Sequence, residues 1–310
     1  MSAIGGFVPK IGEVLVLIAR LIADTAGLET RLKGAAAAMA SAGIATGTEI
    51  GSRLMDDGRT IMQIAAATSD TTLLRQIVDA NFAPDAAMVT IRDYAPLRLF
   101  VSDMDSTMIE QECIDELADF AGVKDKVADI TERTMQGELD FEASLRERVA
   151  LLAGLEESVI EECLANRIHP TSGARTLVQT LKAAGCHCVL VTGGFHHFAD
   201  SVAAQLGFDH VVANRLQIAD GKLTGKLDGP IADGATKRSV LETERKAFAS
   251  GTVLATGDGA NDIPMLSAAD FSFAYKAKPA ARSAASGFID RGDLTAILQL
   301  LDIPQSDWAQ

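Results

Sequence analysis

The sequence predicts an α/β fold in two parts: a core in which strands alternate with helices, preceded by a small α+β module. Three observations support this prediction. The 310 residues are about twice the length of a typical single domain. Hydrophobic residues make up 48% of the chain and charged residues 23%, a composition typical of a globular protein. From Leu97 onward, short apolar runs that end in glycine or aspartate alternate with amphipathic stretches.

Residues 1–93 form the predicted α+β module. Apolar runs predict four strands, and apolar residues at helical spacing predict two helices, the second with Asp70 as its N-cap. The order β-α-β-β-α-β is that of a ferredoxin-like module. No cluster of ionisable residues in this segment looks catalytic. The predicted elements are Val14–Ala19, Gly27–Ala42, Ile44–Met55, Thr60–Ala67, Thr71–Ala80 and Met88–Arg92.

Residues 94–310 form the predicted core. The stretch from Asp125 to about Ala184 contains no convincing strand, so an all-helical insertion interrupts the alternation. Asp220-Gly221 predicts a hairpin turn, and Asp293 caps a last helix. The predicted strands are Leu97–Ser102, Cys188–Val191, Leu216–Ala219, Leu223–Leu227, Thr252–Ala255 and Phe271–Ala274, and the clearest helices are Glu110–Phe120 and Leu294–Leu301.

The charge balance excludes several classes of function. With 28 basic and 42 acidic residues, the net charge is −14, so the chain repels nucleic acids and anionic membranes. A phosphorylated small molecule would need local cations or a metal ion. Four cysteines are too few for a disulfide framework, and the longest apolar run is interrupted by Arg20 and Asp24. We therefore expect a cytoplasmic protein without a membrane span; the sequence leaves a homo-oligomer open.

Polar segments follow three of the predicted strands, and they carry the chemistry. They are Asp103–Thr107, Thr192–Gly194 and Gly257–Asp262. Ligands bind beyond the carboxyl ends of strands in open parallel sheets, so neighbouring strands would bring four aspartates together. Crowded carboxylates repel one another unless a cation neutralises them, and Mg2+ is the first candidate. The four aspartates are Asp103, Asp105, Asp258 and Asp262, with Lys237 as a further cation.

This set of groups fits phosphoryl transfer through an aspartyl-phosphate. Each segment has a simpler explanation when taken alone. An Asp-X-Asp at a strand end is usually turn chemistry, Asp262 two residues before Pro264 could be only an N-cap, and a lone lysine is usually a solvated surface residue. Phosphoryl transfer is favoured because all of the segments occur in order, each at the expected edge of the sheet.

The same segments resemble the successive motifs of the haloacid dehalogenase superfamily of phosphatases. The resemblance extends to the phosphoserine phosphatases of that superfamily and covers about Leu97 to the C-terminus. It implies a Rossmann-like core with a helical cap at about 108–180. The chain has Thr192 where the family more often has serine, which keeps the hydroxyl group. The segments with the closer resemblance are Met108–Glu112, Thr131–Met135, Phe141–Val149 and Asp220–Gly225.

The resemblance implies a role for each residue of the catalytic edge. Asp103 would be the nucleophile, and Asp105 would protonate the leaving oxygen and then activate water. Mg2+ would be held by the Asp103 carboxylate, the Asp105 main-chain carbonyl and Asp258. Lys237 would neutralise both Asp103 and the phosphate. Phosphate and substrate contacts would also come from Thr192, Gly193 and Asn261, while Asp262 would support the metal ligands or Lys237 from behind.

Substrate selection would lie in the helical insertion. Phosphoserine carries an ammonium group and a carboxylate, and Glu112 and Arg148 match the family positions that bind them. The implied reaction is the hydrolysis of O-phospho-L-serine to L-serine and phosphate, the last step of serine biosynthesis. Either residue taken alone is more typical of a solvated helix face.

Three alternatives stay open beside this hypothesis. The chain could be another phosphatase or phosphotransferase of the superfamily that acts on a different small phosphate. It could also be a regulatory binding protein whose N-terminal module senses an amino acid, although an intact catalytic set argues against a degenerate core. A zinc site at Cys186-His187-Cys188 with His196-His197 is disfavoured, because free cysteine usually behaves as a small buried hydrophobe.

Overall fold

The computed structural model describes residues 16–55, 58–91, 96–135, 138–248 and 251–309. Its strands form one sheet in the order β2-β3-β1-β4-β11-β10-β9-β5-β6-β7-β8. The strands are β1 Val16–Asp24, β2 Ala45–Leu54, β3 Arg59–Ala67, β4 Ala86–Ile91, β5 Leu97–Ser102, β6 His187–Phe195, β7 His210–Ala219, β8 Lys222–Asp228, β9 Thr252–Gly257, β10 Phe271–Tyr275 and β11 Gly287–Ile289.

Twelve helices accompany the sheet in the described part of the chain. None of them is long and apolar enough to cross a membrane. They are α1 Leu28–Ser41, α2 Thr71–Phe82, α3 Cys113–Phe120, α4 Lys124–Met135, α5 Phe141–Ala150, α6 Ser158–Asn166, α7 Ala174–Ala183, α8 His196–Leu206, α9 Gly234–Arg245, α10 Ile263–Ala268, α11 Pro279–Ala284 and α12 Thr295–Leu300.

The N-terminal segment has the predicted β-α-β-β-α-β order, with its strands antiparallel. Asp70 caps α2, since its carboxylate accepts a hydrogen bond from the Leu73 N–H at 2.8 Å. The first strand was predicted to end at Ala19, but β1 continues to Asp24. The interrupting Arg20 is accommodated because its side chain donates to Gln63 Oε1 and to the Leu300 carbonyl, both at 3.0 Å. The predicted ends at Val14 and Arg92 lie outside the described residues.

The N-terminal segment and the core share their sheet. Strand β4 pairs antiparallel with β11, with Ala87 opposite Phe288 at the centre of the ladder. Strand β11 was not predicted, because three residues are too few to show a periodic pattern. Polar contacts reinforce the junction: Asp290 and Arg291 both donate their backbone N–H to the Asp85 carbonyl.

The core strands that carry the polar segments are neighbours, as predicted. Strand β5 lies between β9 and β6, and both pairings are parallel. Most side chains of these three strands are apolar, and they are buried on both faces of the sheet, as expected for a parallel sheet covered by helices. The carboxyl ends of β5, β6 and β9 therefore meet at one edge of the sheet.

The helical insertion lies over that edge, with two differences from the prediction. Its first helix begins at Cys113 rather than Glu110, because Met108 and Ile109 turn back and donate their N–H groups to the Met104 carbonyl. Its last helix, α7, packs against β6, α8 and α12 of the core. Helix α5 packs against hairpin strand β8, and the Gly154 N–H donates to the Leu223 carbonyl at 2.8 Å.

Candidate active site

A buried lysine lies between two carboxylates at the end of β5. Lys237 comes from α9 and is fully buried, with its Nζ 2.7 Å from Asp103 Oδ1 and 2.6 Å from Asp262 Oδ1. Burial alone would lower the pKa of this ammonium group, but Asp103 and Asp262 together raise it. Burial and the charge of Asp262 raise the pKa of Asp103 well above its usual range, although Lys237 opposes them. One buried cation thus holds both carboxylates in place.

Asp262 organises the loop after β9. Its Oδ2 accepts the backbone N–H of Asp258 at 3.1 Å and of Gly259 at 2.9 Å, while its Oδ1 accepts from Lys237. The chain has glycine at position 257 for a steric reason: a Cβ there would lie 2.4 Å from Asp262 Cγ. Asp262 therefore positions its neighbours, and its oxygens are already engaged.

The acidic cluster has the donor chemistry of a site for a hard metal ion. Oxygen atoms of Asp103, Asp258 and Asp262 lie within 4.8 Å of one another, and no other such group occurs in the described ranges. Burial, Asp262 and Glu112 raise the pKa of Asp258 to about 6. A divalent cation would relieve this repulsion, so the residues present fit a metal ion held by carboxylate oxygens.

Asp105 lies between the core and the insertion. Its Oδ1 accepts the backbone N–H of Cys113, the first residue of α3, at 3.2 Å. Burial and the nearby Glu112 carboxylate raise the pKa of Asp105 to about 7. A Cβ at position 194 would lie 2.6 Å from Asp105 Oδ2, so the glycine there allows the carboxylate to approach the end of β6.

The Thr192-Gly193-Gly194 segment is held in a fixed shape. Thr192 Oγ1 accepts the Gly194 N–H at 2.9 Å, and the Gly193 carbonyl accepts from Asn214 Nδ2 at 2.8 Å. Phe141 of the insertion closes over this segment, so that a Cβ at Gly193 would lie 3.0 Å from the Phe141 ring.

Three residues of the site were given no role from the sequence. Asn214 is buried on β7 and also accepts the Ala232 N–H, but an isolated asparagine in a strand carries no motif. Thr107 donates to Asp258 Oδ1 at 3.2 Å. Lys278 lines the cavity, and its N–H donates to the Asp258 carbonyl at 3.1 Å. Proline at position 279, which marks a helix start, was the only available signal for Lys278.

A cavity of about 570 Å³ opens above the catalytic edge. Glu112 accepts a hydrogen bond from Ser106 Oγ at 2.6 Å. Burial lowers the pKa of Arg148, and its Nε donates weakly to the Ser144 carbonyl at 3.4 Å. In the described part of the chain no carboxylate lies within 4 Å of the Arg148 guanidinium. The predicted residues that line this cavity are Asp103, Asp105, Glu112, Arg148, Thr192, Gly193, Asp258 and Asn261.

Two predicted residues, Lys237 and Asp262, lie behind the cavity lining rather than on it. The cysteines considered for zinc are free and buried, and they form no metal-binding group with the histidines among the described residues. Cys188 Sγ instead contacts the Cys186 carbonyl at 3.7 Å.

Comparison with known proteins identifies the family. The family model described as haloacid dehalogenase-like hydrolase matches residues 100–267. The chain belongs to the haloacid dehalogenase-like hydrolases. Within that family it is similar to the phosphoserine phosphatase of Lactococcus lactis, with 46% identity over 207 residues that make up 66% of this chain and 95% of that protein.

Two solved structures support the same membership. The haloacid dehalogenase family hydrolase from Salmonella enterica serovar Typhi has 25% identity and a TM-score of 0.78, covering 93% of this chain and 99% of that one. A phosphoserine phosphatase solved as a phospho-aspartyl intermediate analogue has 39% identity and a TM-score of 0.62, covering 66% of this chain and 98% of that one. The second match covers only part of the chain, whereas the Salmonella hydrolase matches nearly all of it.

Proposed function

We propose that this phosphoric monoester hydrolase converts O-phospho-L-serine to L-serine and phosphate through an aspartyl-phosphate on Asp103. One observation carries the proposal. A single cavity joins a buried, lysine-held aspartate to an acid and an unpaired guanidinium in the insertion. These groups match the phosphate, ammonium and carboxylate of phosphoserine.

Asp103 is the nucleophile. Its Oδ1 accepts from Lys237 and from the Met104 N–H, both at 2.7 Å, which leaves Oδ2 to attack phosphorus. Lys237 reduces the repulsion between this carboxylate and the incoming phosphate. The Asp103 carboxylate, the Asp105 main-chain carbonyl and Asp258 would hold Mg2+. When bound, that ion neutralises charge on the phosphate oxygens.

Asp105 serves first as an acid and then as a base. With a pKa of about 7, both of its protonation states are populated near neutral pH. The protonated form gives its proton to the serine oxygen as the P–O bond breaks. The resulting carboxylate takes a proton from the water that attacks the aspartyl-phosphate, which restores both aspartates.

Phosphate and substrate contacts come from the remaining groups at the catalytic edge. Thr192 and Gly193 hydrogen-bond phosphate oxygens, and Asn261 contacts the substrate from the loop after β9. Asp262 keeps Lys237 and that loop in place through its three accepted hydrogen bonds.

The insertion selects the amino acid part of the substrate. Glu112 pairs with the ammonium group, and Arg148 binds the carboxylate with its planar fork. Neither charge is neutralised by a close partner in the described chain, although Ser106 hydrogen-bonds Glu112.

The domain assignment follows from the same proposal. Residues 1–93 form a regulatory-type module without catalytic groups among its described residues, and residues 94–310 form the catalytic part, with a cap that begins at about 108 and ends before α7, which packs against the core. The four cysteines are free and buried, which suits the cytoplasm, where serine biosynthesis takes place.

Phosphate release from phosphoserine tests this proposal. We expect the purified protein to release phosphate, to stop when EDTA is added and to resume with Mg2+. Phosphate release that persists in EDTA after dialysis would contradict the metal assignment. Faster turnover of phosphoglycolate than of phosphoserine would contradict the substrate assignment.

A further inference from the structure

A second cavity, of about 480 Å³, lies between the N-terminal segment and the core. One wall is α2, and the other is made by α10, α11 and the segment that leads into β11. None of its lining residues lines the catalytic cavity. The residues that matter for its chemistry are Thr72, Arg75, Asp79, Ser267, Arg282 and Ser283.

Arg75 is a partly buried cation without a counter-charge in contact. Its Nη2 donates to the Ala285 carbonyl at 2.7 Å, and no carboxylate lies within 4 Å of the guanidinium in the described ranges. Burial lowers the pKa of Arg75, with Asp79 opposing the effect, so the charged form is incompletely compensated. The remaining guanidinium N–H groups can bind an anion.

Arg282, the other guanidinium of the cavity, provides the contrast. Its Nε donates to the Asp290 carboxylate at 3.0 Å, its Nη1 lies 3.3 Å from Asp79 Oδ2, and it stacks on Phe288 at 3.5 Å. Its charge is therefore already paired. An incoming anion would bind Arg75 rather than Arg282.

Asp79 restricts which anion fits. Its Oδ1 is buried and has no hydrogen-bond partner among the described residues. The Asp79 side chain is nevertheless 32% exposed, so the oxygen that a ligand in the cavity can reach is Oδ2, which lies 3.3 Å from Arg282 Nη1. A carboxylate oxygen can accept a second hydrogen, which favours a ligand that brings a donor. The negative charge of Asp79 also disfavours a dianion such as phosphate. Exposed hydroxyls of Thr72 and Ser267 supply further hydrogen bonds, whereas that of Ser283 already donates to the Pro279 carbonyl at 2.9 Å.

We propose that this cavity binds a small carboxylate that also carries a hydroxyl or ammonium donor, with the carboxylate on Arg75 and the donor on Asp79. Such a ligand bridges α2 and the core. Binding of this ligand therefore also stabilises the contact between α2 and the core.

Calorimetric titration and thermal unfolding of the full chain test the site, with L-lactate, L-alanine and inorganic phosphate as probes. We expect L-lactate or L-alanine to bind in the millimolar range and to raise Tm. The probe that binds shows whether the donor is a hydroxyl or an ammonium group. Arg75→Gln should weaken binding about tenfold or more, since it removes a charge-assisted hydrogen bond, and should leave turnover unchanged.

Two further variants keep the test decisive. Arg148→Ala removes the cation of the catalytic cavity and should leave this binding intact. Ser267→Trp fills the second cavity from an exposed position without altering Arg75, and it should abolish binding even if Arg75→Gln fails to fold. Three results would overturn the proposal: no binding of either carboxylate, binding lost in Arg148→Ala but kept in Arg75→Gln, or binding of phosphate alone.

Discussion

The two ends of the catalytic cavity differ in whether their charged side chains are paired with an opposite charge. At the sheet edge, Lys237 is fully buried and contacts both Asp103 and Asp262 within 3 Å. In the insertion, Arg148 has no carboxylate within 4 Å in the described chain. In the proposed mechanism, the reacting groups are therefore positioned before substrate arrives, whereas the groups proposed to select the substrate keep their charges for it. Stability and specificity should accordingly respond to different substitutions.

The largest expected effect on activity is at Asp103, the proposed nucleophile. Asp103→Asn keeps the shape of the side chain but cannot attack phosphorus, so kcat should fall by at least about a thousandfold. Far-ultraviolet circular dichroism should show an unchanged fold. Asp302→Asn makes the same change at an exposed position that does not line the catalytic cavity, so this matched control should keep full activity. Substantial turnover by Asp103→Asn would remove the covalent mechanism.

The end of the cavity at the sheet edge, where Lys237 is paired with carboxylates, should show the largest loss of stability. Lys237→Met leaves the buried Asp103 and Asp262 carboxylates without their cation, which costs about 3–5 kcal/mol in the free energy of unfolding. Denaturant unfolding of the metal-free protein measures this loss. Arg148→Ala, which breaks no ion pair, should cost less than about 1 kcal/mol in the same experiment. Equal losses in the free energy of unfolding in the two variants would contradict the difference between the two ends of the cavity.

The end of the cavity in the insertion, where Arg148 has no carboxylate partner, should instead show the larger effect on substrate choice. Arg148→Ala should lose about ten- to a hundredfold in kcat/KM on phosphoserine, because a charge-assisted bond is lost. Phosphoethanolamine has no carboxylate, so the variant should hydrolyse it nearly as the unaltered protein does. If both substrates lose activity in equal proportion, Arg148 supports the phosphate or the fold.

Glu112→Gln should show the complementary pattern with a smaller effect. Its turnover of phosphoserine should fall several-fold, because the amide cannot pair fully with the ammonium group. Phosphoglycolate carries no ammonium group, and its hydrolysis should be unchanged. A loss on phosphoglycolate as large as that on phosphoserine would assign Glu112 to positioning Asp105 instead.

The smallest expected effect on chemistry is that of removing residues 1–93. A chain that starts near Tyr94 should still hydrolyse phosphoserine, because none of the described residues of that segment lines the catalytic cavity. Its Tm should fall, since the truncation exposes β11 as a sheet edge. A folded truncation that is inactive at every Mg2+ concentration would show that the segment supports the catalytic edge directly.

The catalytic edge was accessible from the sequence because its residues follow buried strands within short, ordered motifs. Asp103 and Asp258 come directly after β5 and β9, and Thr192 lies in the last half of β6; parallel strands bring these ends together. Asn214 could not be found in this way. It supports the Gly193 carbonyl from a neighbouring strand, and only the register of β7 beside β6 shows that contact.

The junction between the N-terminal segment and the core could not be predicted from the sequence either. Strand β11 has three residues, and its antiparallel pairing with β4 joins positions about 200 residues apart in the sequence. The second cavity is lined by residues from both sides of that junction. Local patterns predicted the order of the elements in the N-terminal segment and most strands of the core, but they missed β11 and misplaced the ends of β1 and α3. Long-range pairing decides how the two parts meet.

Chemical trapping of Asp103 tests the central claim most directly. The protein is mixed with phosphoserine and Mg2+, quenched during turnover and reduced with borohydride, which converts an aspartyl-phosphate to homoserine. Peptide mass spectrometry should then find homoserine at position 103, and none in Asp103→Asn or in the absence of phosphoserine. Turnover without any modification at position 103, or with the modification at another aspartate, would contradict the account.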